Sequence, residues 1–403
     1  MANQPKRLRL AWRAADEFIT AIHSQKRVGG LTHDLYKYPA RFSPEFAKGA
    51  ISAFTQEGET VVDPFMGGGT SLVESRVNGR LGVGSDISTL ASFVSQTKTT
   101  VLTDADINYL EKWFAQLPNK INLRNPSSGG VLAAKGYTKN LSSSETWAIR
   151  KAIEQTLQYV KKIKDKRRQD FARCIVLRVS QWALDGRREI PTVQEFRNRF
   201  AAVAPKLLNG AREFSEIARE SDKANRQGKR KTVCVNSSAE SLASFFKRNG
   251  RSAPGLIVTS PPYPGVHVLY HRWQVMGGRE TPAPFWIANK MDGAGESYYL
   301  MHARNKNLND YLGGIKSAFS AMAKISDKRT TISQLVAFSD PDAQLPRYLD
   351  VMERCGFNEY LLSDYVDSND GRIWRDVPGR RWHAAGKGTL GSSREVVLIH
   401  RKA

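Results

Sequence analysis

Apolar residues follow a strand-like pattern near both ends of the chain and a helical pattern in its middle third. Short apolar or β-branched runs separated by helical periodicity predict an α/β domain formed by 31–100 and 232–403. The runs that we predict as strands are 60–62, 81–84, 233–235, 255–258, 331–338, 360–366 and 395–400. Between these two parts, apolar residues at i, i+3, i+4 and i+7 predict an all-helical insertion at 101–231. Residues 1–30 form a basic lead-in with one amphipathic helix predicted from Trp12 to Ile22.

Two helix starts and one loop region can also be predicted from local pattern. Ser142 with Glu145, and Thr192 with Glu195, have the capping-box spacing in which side chain and backbone satisfy each other. Residues 264–300 lack clear periodicity and are rich in aromatic residues. We therefore expect this stretch to form irregular loops over a site.

The run that starts at Asp63 has the build of a ligand-binding turn. The β-branched strand 60–62 ends in Asp63, and the chain then passes Phe65 and the glycines 67–69 before a helix that begins near Thr70. A strand, a glycine turn and a helix bring bare backbone N–H groups up to a ligand. The run is neither a GxGxxG motif nor a P-loop, because no Lys-Ser/Thr follows the last glycine.

A second strand, 81–84, leads to Asp86, which lies 17 positions after Gly69. An acidic residue at the end of this neighbouring strand can accept hydrogen bonds from both ribose hydroxyls of an adenosine-containing ligand. The sequence therefore predicts an adenosine site between the glycine turn and Asp86.

A proline-rich loop follows the strand 255–258 and consists of Ser260, Pro261, Pro262 and Tyr263. The two prolines remove two N–H donors and restrict φ, so the loop is stiff and presents carbonyl acceptors. Tyr263 adds a flat ring. Acceptors beside a stacking face suit a planar base with an exocyclic amine.

The order DPFMGGGT then TSPPY resembles the amino-group DNA methyltransferases, which transfer a methyl group from S-adenosylmethionine to adenine-N6 or cytosine-N4. The resemblance covers about 31–100 and 232–403. It implies a Rossmann-like methyltransferase sheet, mostly parallel and closed by an antiparallel C-terminal hairpin. His33 and the segment 38–44, which includes Phe42, resemble the part that covers the methionine end of the cofactor.

The resemblance also implies roles for individual residues. Asp63 would face the methionine amino group, Asp86 the ribose, and Ser238 the adenine ring. Transfer would depend on Ser260, Pro261, Pro262 and Tyr263, with Tyr263 stacking on the flipped base. The complete set implied for the cofactor is Asp63, Phe65, Gly67, Gly69, Thr70, Asp86, His33, Phe42 and Ser238. Serine before Pro-Pro-Tyr accompanies cytosine-N4 methylation in this family, so we expect that target ahead of adenine-N6.

The charge of the chain favours a polyanionic partner. Its 61 basic and 39 acidic residues give a net charge of +22, which suits nucleic acid, with an acidic membrane surface as the weaker alternative. Residues 101–231 hold 27 of the basic and 14 of the acidic residues. We expect this insertion to contact double-stranded DNA, and a cognate restriction endonuclease is a further candidate partner. The candidate contacts are Lys161, Lys162, Lys164, Arg167, Arg168, Arg372, Trp374, Arg380 and Arg381. For the lysine and arginine run, the alternative is a solvated helix face.

Several classes of protein are disfavoured by what the sequence lacks. The three cysteines are widely spaced and include no CxxC, so we expect reduced thiols, no metal site and a cytoplasmic location. No Pro-Cys pair is present, which disfavours carbon-5 cytosine methyltransferases. No apolar run reaches the ~20 residues that would span a bilayer, and we see no secretory signal. Two alternatives stay open, an RNA guanine-N2 methyltransferase and a catalytically inert nucleic-acid-binding protein on the same fold.

Overall fold

The computed structural model describes residues 5–38, 43–126, 134–224, 232–264, 272–292, 307–366, 368, 370–376 and 394–403. Its strands are β1 Lys6–Arg7, β2 Thr60–Asp63, β3 Leu81–Asp86, β4 Val233–Asn236, β5 Leu256–Thr259, β6 Trp273–Val275, β7 Arg279–Thr281, β8 Thr331–Val336, β9 Phe357–Leu361, β10 Ile373–Asp376 and β11 Arg394–Lys402. Its helices are α1 Trp12–His23, α2 Pro44–Phe54, α3 Thr70–Val77, α4 Thr89–Lys98, α5 Asp104–Lys120, α6 Trp147–Lys161, α7 Lys166–Leu184, α8 Val193–Ala224, α9 Ser241–Arg248, α10 Ala283–Ala288, α11 Leu308–Ile325 and α12 Pro341–Arg354. Phe42, Arg380 and Arg381 lie outside the described residues.

The main sheet has the order β1-β9-β11-β8-β5-β2-β3-β4, and β10 pairs with β11 beside β9. The strands β4, β3, β2, β5 and β8 run parallel, whereas β11 is antiparallel to β8, β9 and β10. This arrangement confirms the mostly parallel Rossmann-like sheet with an antiparallel C-terminal closure. Along the chain the strand order reverses between β2 and β5, and ligands of open α/β sheets bind at such a switch point.

Alternate residues of the central strands enter different cores, because successive side chains of a strand point to opposite faces. Val61, Leu256 and Val258 pack with α1 and α2 on one face. Val62 and Ile257 pack with α9, α11 and α12 on the other. Burial on both faces explains why these strands are continuous apolar runs in the sequence.

The described residues between 101 and 224 form α5 to α8 and no named strand. Their apolar side chains share one core with α4 and with Tyr36 and Tyr38 of the upstream segment. The same core takes in β6 and α10, including the fully buried Phe285. The expectation of irregular loops throughout 264–300 is therefore wrong for 273–288, which forms a hairpin and a buried helix.

Two other expectations need correction. The helix α6 begins at Trp147, so Ser142 and Glu145 do not cap it; a turn in which Trp147 N–H donates to the Ser143 carbonyl precedes the helix. By contrast, Thr192 and Glu195 make the reciprocal capping bonds at the start of α8, as predicted. The lead-in also supplies the two-residue edge strand β1, which pairs with β9 and was not predicted.

Among the described residues, no helix combines the length and apolarity needed to cross a membrane.

Candidate active site

The candidate site lies where β2, β3 and β5 end, beside one another at the carboxyl edge of the sheet. β2 ends at Asp63, β3 at Asp86 and β5 at Thr259, so the glycine turn, Asp86 and the Ser260 loop all leave the sheet at this edge. Fragments almost two hundred residues apart in sequence are thus neighbours.

The glycine turn is tightly packed and needs its glycines. Gly67 and Gly69 have φ values of 45° and 73°, in the left-handed region that side chains rarely adopt. A Cβ on Gly68 would lie 2.7 Å from Tyr38 Cβ, and one on Gly69 would lie 2.6 Å from Ser95 Oγ. Ser95 Oγ also donates to the Gly67 carbonyl at 2.9 Å. The turn is therefore held between the upstream segment and α4.

Asp86 ties the end of β3 to the glycine turn. Its carboxylate accepts from the N–H of Gly67 at 3.0 Å and from the N–H of Ser88 at 2.8 Å. Burial raises the pKa of Asp86 to about 6, and the nearby Asp63 charge acts in the same direction. The side chain is only half-buried, and carboxylate oxygens can each accept more than one hydrogen bond. It can therefore accept further donors from a ligand.

Asp63 is fully buried below the site and joins three elements. Its carboxylate accepts from the Phe65 N–H at 3.1 Å, from Thr259 Oγ1 at 2.7 Å and from the hydroxyl of Ser71 on α3. Burial raises the pKa of Asp63 to about 6 although these hydrogen bonds oppose the shift. Because Thr259 immediately precedes Ser260, this carboxylate fixes the proline-rich loop to the glycine turn.

The loop 260–263 is braced by hydrogen bonds on both sides. Ser260 Oγ lies 2.7 Å from Tyr263 Oη, which donates to Glu395 Oε1 at 2.8 Å. Tyr311 donates to the carbonyl oxygen of Pro262 at 2.9 Å. Tyr263 is only 7% exposed, so in this structure its ring packs in the core of the sheet. Ser260 is half-buried and lies at the surface of the loop.

The remaining predicted cofactor residues take supporting positions. His33 is 1% exposed, and its Nε2 lies 2.8 Å from Glu74 Oε1 on α3, so it links the upstream segment to the helix after the glycine turn. Thr70 is buried in the first turn of α3, and Phe65 packs against the core that contains Tyr263. Ser238 is half-buried two residues beyond β4, where its carbonyl accepts from the Ser241 hydroxyl at 2.7 Å.

Sequence reasoning missed three residues of this region. Ile87 is 42% exposed directly after Asp86. Its place next to the predicted ribose contact was the one signal in the sequence that could have indicated it. Lys98 is 1% exposed and donates to the Gly68 carbonyl at 3.0 Å. Glu395 meets Tyr263 across 132 positions of the chain, and no local pattern could have predicted that contact.

The candidate nucleic-acid contacts separate into two groups. Lys161, Lys162 and Lys164 are exposed at the end of α6 and just after it. Arg167 and Arg168 instead pair with the buried Asp106 on α5, at 3.5 and 2.7 Å.

Arg372 and Trp374 are also engaged within the protein. Arg372 binds both carboxylate oxygens of Glu359, at 2.7 and 2.8 Å, and Trp374 Nε1 donates to Asp370 at 3.0 Å. The geometry thus gives Arg167, Arg168, Arg372 and Trp374 internal partners, and contact with DNA stays a prediction for them.

The described residues contain no group of three or more histidine, cysteine, aspartate or glutamate side chains that could hold a metal ion. The three cysteines are free thiols, and burial raises the pKa of Cys174 and of Cys234 to about 12. A thiolate nucleophile is disfavoured at both positions.

The sheet order and the residues at its carboxyl edge define an α/β fold of the methyltransferase type. Residues 3–95 match the family model N6_N4_Mtase, described as DNA methylase. The chain is 27% identical over 165 residues to the Type II methyltransferase M.MjaII of Methanocaldococcus jannaschii, a match that covers 39% of this chain and 27% of that protein. It is 40% identical over 81 residues to the Type II methyltransferase M.MvaI of Kocuria varians, covering 19% and 18% respectively. The chain thus spans less than a third of the length of either relative.

Two structures of the rRNA methyltransferase aviRa from Streptomyces viridochromogenes align with 91% of this chain and 89% of theirs. The sequence identity is 10% and the TM-scores are 0.33 and 0.34, so this likeness supports no argument about function. The sequence matches, together with the motifs at 63–70 and 260–263, identify the chain as similar to the amino-group methyltransferase family, whose cofactor is S-adenosylmethionine.

Proposed function

We propose that this protein is an S-adenosylmethionine-dependent DNA methyltransferase that acts on the exocyclic amine of a flipped base, with cytosine-N4 as the target. The observation that carries the proposal is the 2.7 Å hydrogen bond from Thr259 Oγ1 to Asp63 Oδ1. It fixes the loop suited to a base amine against the turn suited to the cofactor. A methyl donor and its acceptor need this proximity, because positioning supplies most of the acceleration in such a transfer.

The residues at the carboxyl edge of the sheet fit S-adenosylmethionine by their chemistry. The half-buried Asp86 carboxylate would accept hydrogen bonds from the ribose hydroxyls, and the exposed Ile87 side chain beside it would contact the adenine ring. Ser238 and Phe65 would line the same side of the cofactor, next to its adenine ring. The backbone of the turn at Gly67 and Gly69 would approach the methionine part.

Two of the residues expected to contact the cofactor would act from beneath the site. Asp63 is fully buried and His33 almost so, and each holds elements together: Asp63 the turn and the loop, His33 the upstream segment and α3. We assign them positioning roles. When bound, S-adenosylmethionine supplies the electrophilic methyl group.

The loop 260–263 would prepare the target amine. An exocyclic amine is a weak nucleophile, because its lone pair is delocalised into the ring. Ser260 Oγ and the carbonyl of Pro261 would accept its two N–H hydrogens, which favours a pyramidal nitrogen with its lone pair directed at the methyl group. Extruding the base costs a few kcal/mol, and stacking on Tyr263 would offset this cost once the ring is exposed.

Cytosine-N4 is preferred over adenine-N6 because Ser260 stands before Pro-Pro-Tyr, where a short uncharged hydroxyl places the polar contact close to the loop. The exposed lysines at 161–164 and the net charge of +22 support double-stranded DNA as the substrate. Adenine-N6 DNA methylation is the alternative. RNA guanine-N2 methylation is less favoured because the similar loops of those enzymes usually begin with Asn or Asp, where this chain has Ser260. An inert nucleic-acid-binding role is less favoured because Asp63, Asp86 and Ser260 are all present. A cognate restriction endonuclease is a further proposed partner.

The test is to incubate the protein with methyl-labelled S-adenosylmethionine and either unmethylated bacterial DNA or RNA. The DNA is then digested to nucleosides, which are separated by mass spectrometry. The proposal expects N4-methylcytosine in DNA and no label in RNA. N6-methyladenine alone would overturn the choice of base, and label confined to RNA would overturn the substrate. Ser260→Ala should lose turnover far more than cofactor affinity.

A further inference from the structure

A continuous chain of polar contacts leads from the proline-rich loop into the sheet. Ser260 Oγ lies 2.7 Å from Tyr263 Oη, and Tyr263 donates to Glu395 Oε1 at 2.8 Å. The other carboxylate oxygen of Glu395 accepts from Arg375 Nε at 2.9 Å. Arg375 also donates to the carbonyl of Ile22 at 3.2 Å. Tyr263, Glu395 and Arg375 are each at most 7% exposed, so water competes little for these groups.

The direction of each hydrogen bond follows from the protons available. A carboxylate with two donors on it only accepts, and Glu395 accepts from Tyr263 at one oxygen and from Arg375 at the other. Tyr263 has one hydroxyl proton and donates it to Glu395. The contact between Tyr263 and Ser260 must therefore use the serine proton. Ser260 is left with only lone pairs to present to a bound base.

We infer that Glu395 is a positioning residue that makes Ser260 an obligatory hydrogen-bond acceptor and so selects a base with an amine at the reacting position. This inference rests on the proposed function. The amine of cytosine or adenine can donate to such a serine. The carbonyl oxygen that uracil, thymine or guanine presents at the corresponding position would face it lone pair to lone pair, which leaves a buried acceptor unsatisfied. Glu395 acts through Tyr263 and does not itself touch the base.

A purely structural role for Glu395 is the competing explanation, and the sheet contains a matched case. Arg375 and Glu395 lie directly opposite each other on β10 and β11. Directly before β10, Arg372 forms a comparable ion pair with Glu359 of β9, at 2.7 Å and with side chains 16% and 11% exposed. Glu359→Gln is therefore a control for the loss of a partly buried ion pair without the link to Tyr263.

The test is a double-mutant cycle on methyl transfer by the full chain, with labelled S-adenosylmethionine and unmethylated bacterial DNA. Tyr263→Phe keeps the ring but removes the hydroxyl, and Glu395→Gln removes the charged acceptor. Each should slow single-turnover transfer about tenfold or more, because a hydrogen bond to a charged group is lost. Cofactor affinity, measured by calorimetry, should not change. Glu359→Gln should lower the melting temperature without slowing transfer.

The double variant decides between the two explanations. If Glu395 acts through the Tyr263 hydroxyl, Glu395→Gln should cause no further loss in the Tyr263→Phe background. Losses that multiply would overturn the inference, as would an equal slowing by Glu359→Gln. If Glu395→Gln does not fold, the pair Tyr263→Phe and Ser260→Ala tests the next contact of the same chain, between the Tyr263 hydroxyl and Ser260, and multiplying losses there overturn the inference too.

Failure of the inference and failure of the proposed function give different results. A wild-type protein that transfers no methyl group to DNA contradicts the proposed function, and the inference falls with it. A wild-type protein that methylates DNA while the variant losses multiply contradicts the inference alone.

Discussion

Asp86 should make cofactor binding depend on pH in a range where few surface carboxylates titrate. Burial raises the pKa of Asp86 to about 6, from an ordinary value of 3.8. Donors on the ribose would stabilise the ionised carboxylate, so binding should favour ionised Asp86 and release a proton in acidic buffer. We expect the affinity for S-adenosylmethionine to rise from pH 5 to pH 7.

The size of the effect follows from the pKa. With a value of about 6, roughly one molecule in eleven has Asp86 ionised at pH 5, against about ten in eleven at pH 7. If only the ionised form binds the ribose, affinity should rise about tenfold across this range. Asp86→Asn removes the titration, so the rise should disappear. The variant should also bind more weakly throughout, because its amide cannot accept from both Gly67 and Ser88.

Isothermal titration calorimetry at pH 5, 6 and 7, in buffers of different ionisation enthalpy, measures both affinity and proton release. Asp185→Asn is the matched control, since burial also raises the pKa of this half-buried carboxyl, which lies at the end of α7 and accepts from the Gln274 N–H. The control should keep the pH dependence of the wild-type protein. A wild-type affinity that is constant from pH 5 to pH 7 would refute the reasoning, as would a tenfold rise that survives in Asp86→Asn.

Three further predictions concern the glycine turn, the helical insertion and the buried Asp63 carboxylate. Gly69→Ala should lower the free energy of unfolding by more than the about 1–2 kcal/mol expected for a left-handed backbone, because the new Cβ would lie 2.6 Å from Ser95 Oγ. Gly186→Ala is the control and should show the backbone cost alone, since Gly186 has a φ of 71° and nothing within 4 Å of the added Cβ. Equal losses for the two variants in denaturant titrations would contradict this prediction. Neutralising Lys161, Lys162 and Lys164 together should flatten the salt dependence of DNA binding by about 0.9 in log–log slope per lost phosphate contact. Arg168→Gln should instead mainly lower the melting temperature, because Arg168 pairs with Asp106. A slope that the triple lysine substitution leaves unchanged would indicate a solvated helix face. For Asp63, whose pKa burial raises to about 6, the unfolded chain releases the proton near pH 4 and the folded chain near pH 6. The free energy of unfolding that this group contributes should therefore fall as pH rises from about 4 to 6, and Asp63→Asn should reduce that fall in thermal melts at about pH 4.5 and 6.5; identical pH dependence in both proteins would count against it.

Local chemistry allowed much of the α/β part to be predicted. The strands at 60–63 and 256–259 are apolar runs buried on both faces, and the glycines of the turn have conformations that few other residues adopt. The capping bonds between Thr192 and Glu195 likewise depend only on residues three positions apart. Such features are visible in one sequence because their determinants lie within a few residues of each other.

Local signals failed where tertiary packing decided the outcome. The spacing of Ser142 and Glu145 matches a capping box, yet the chain makes another turn before α6 begins. The aromatic residues around Phe285 indicated a loop over the site but form a helix inside the core of the helical region. Aromatic side chains suit either environment, and only the neighbouring helices determine which one they occupy.

The sequence by itself determined which residues stand at the carboxyl edge of the sheet, since Asp63, Asp86 and Ser260 each follow a predictable strand. Only the tertiary structure decided what those residues do there. In the folded protein the buried Asp63 carboxylate accepts a hydrogen bond from Thr259, 196 positions away, and Glu395 accepts one from Tyr263, 132 positions away. Strand order and the pairing of distant strands create these contacts. Their energetic basis lies in burial and hydrogen-bond satisfaction, which do not exist until the sheet has formed.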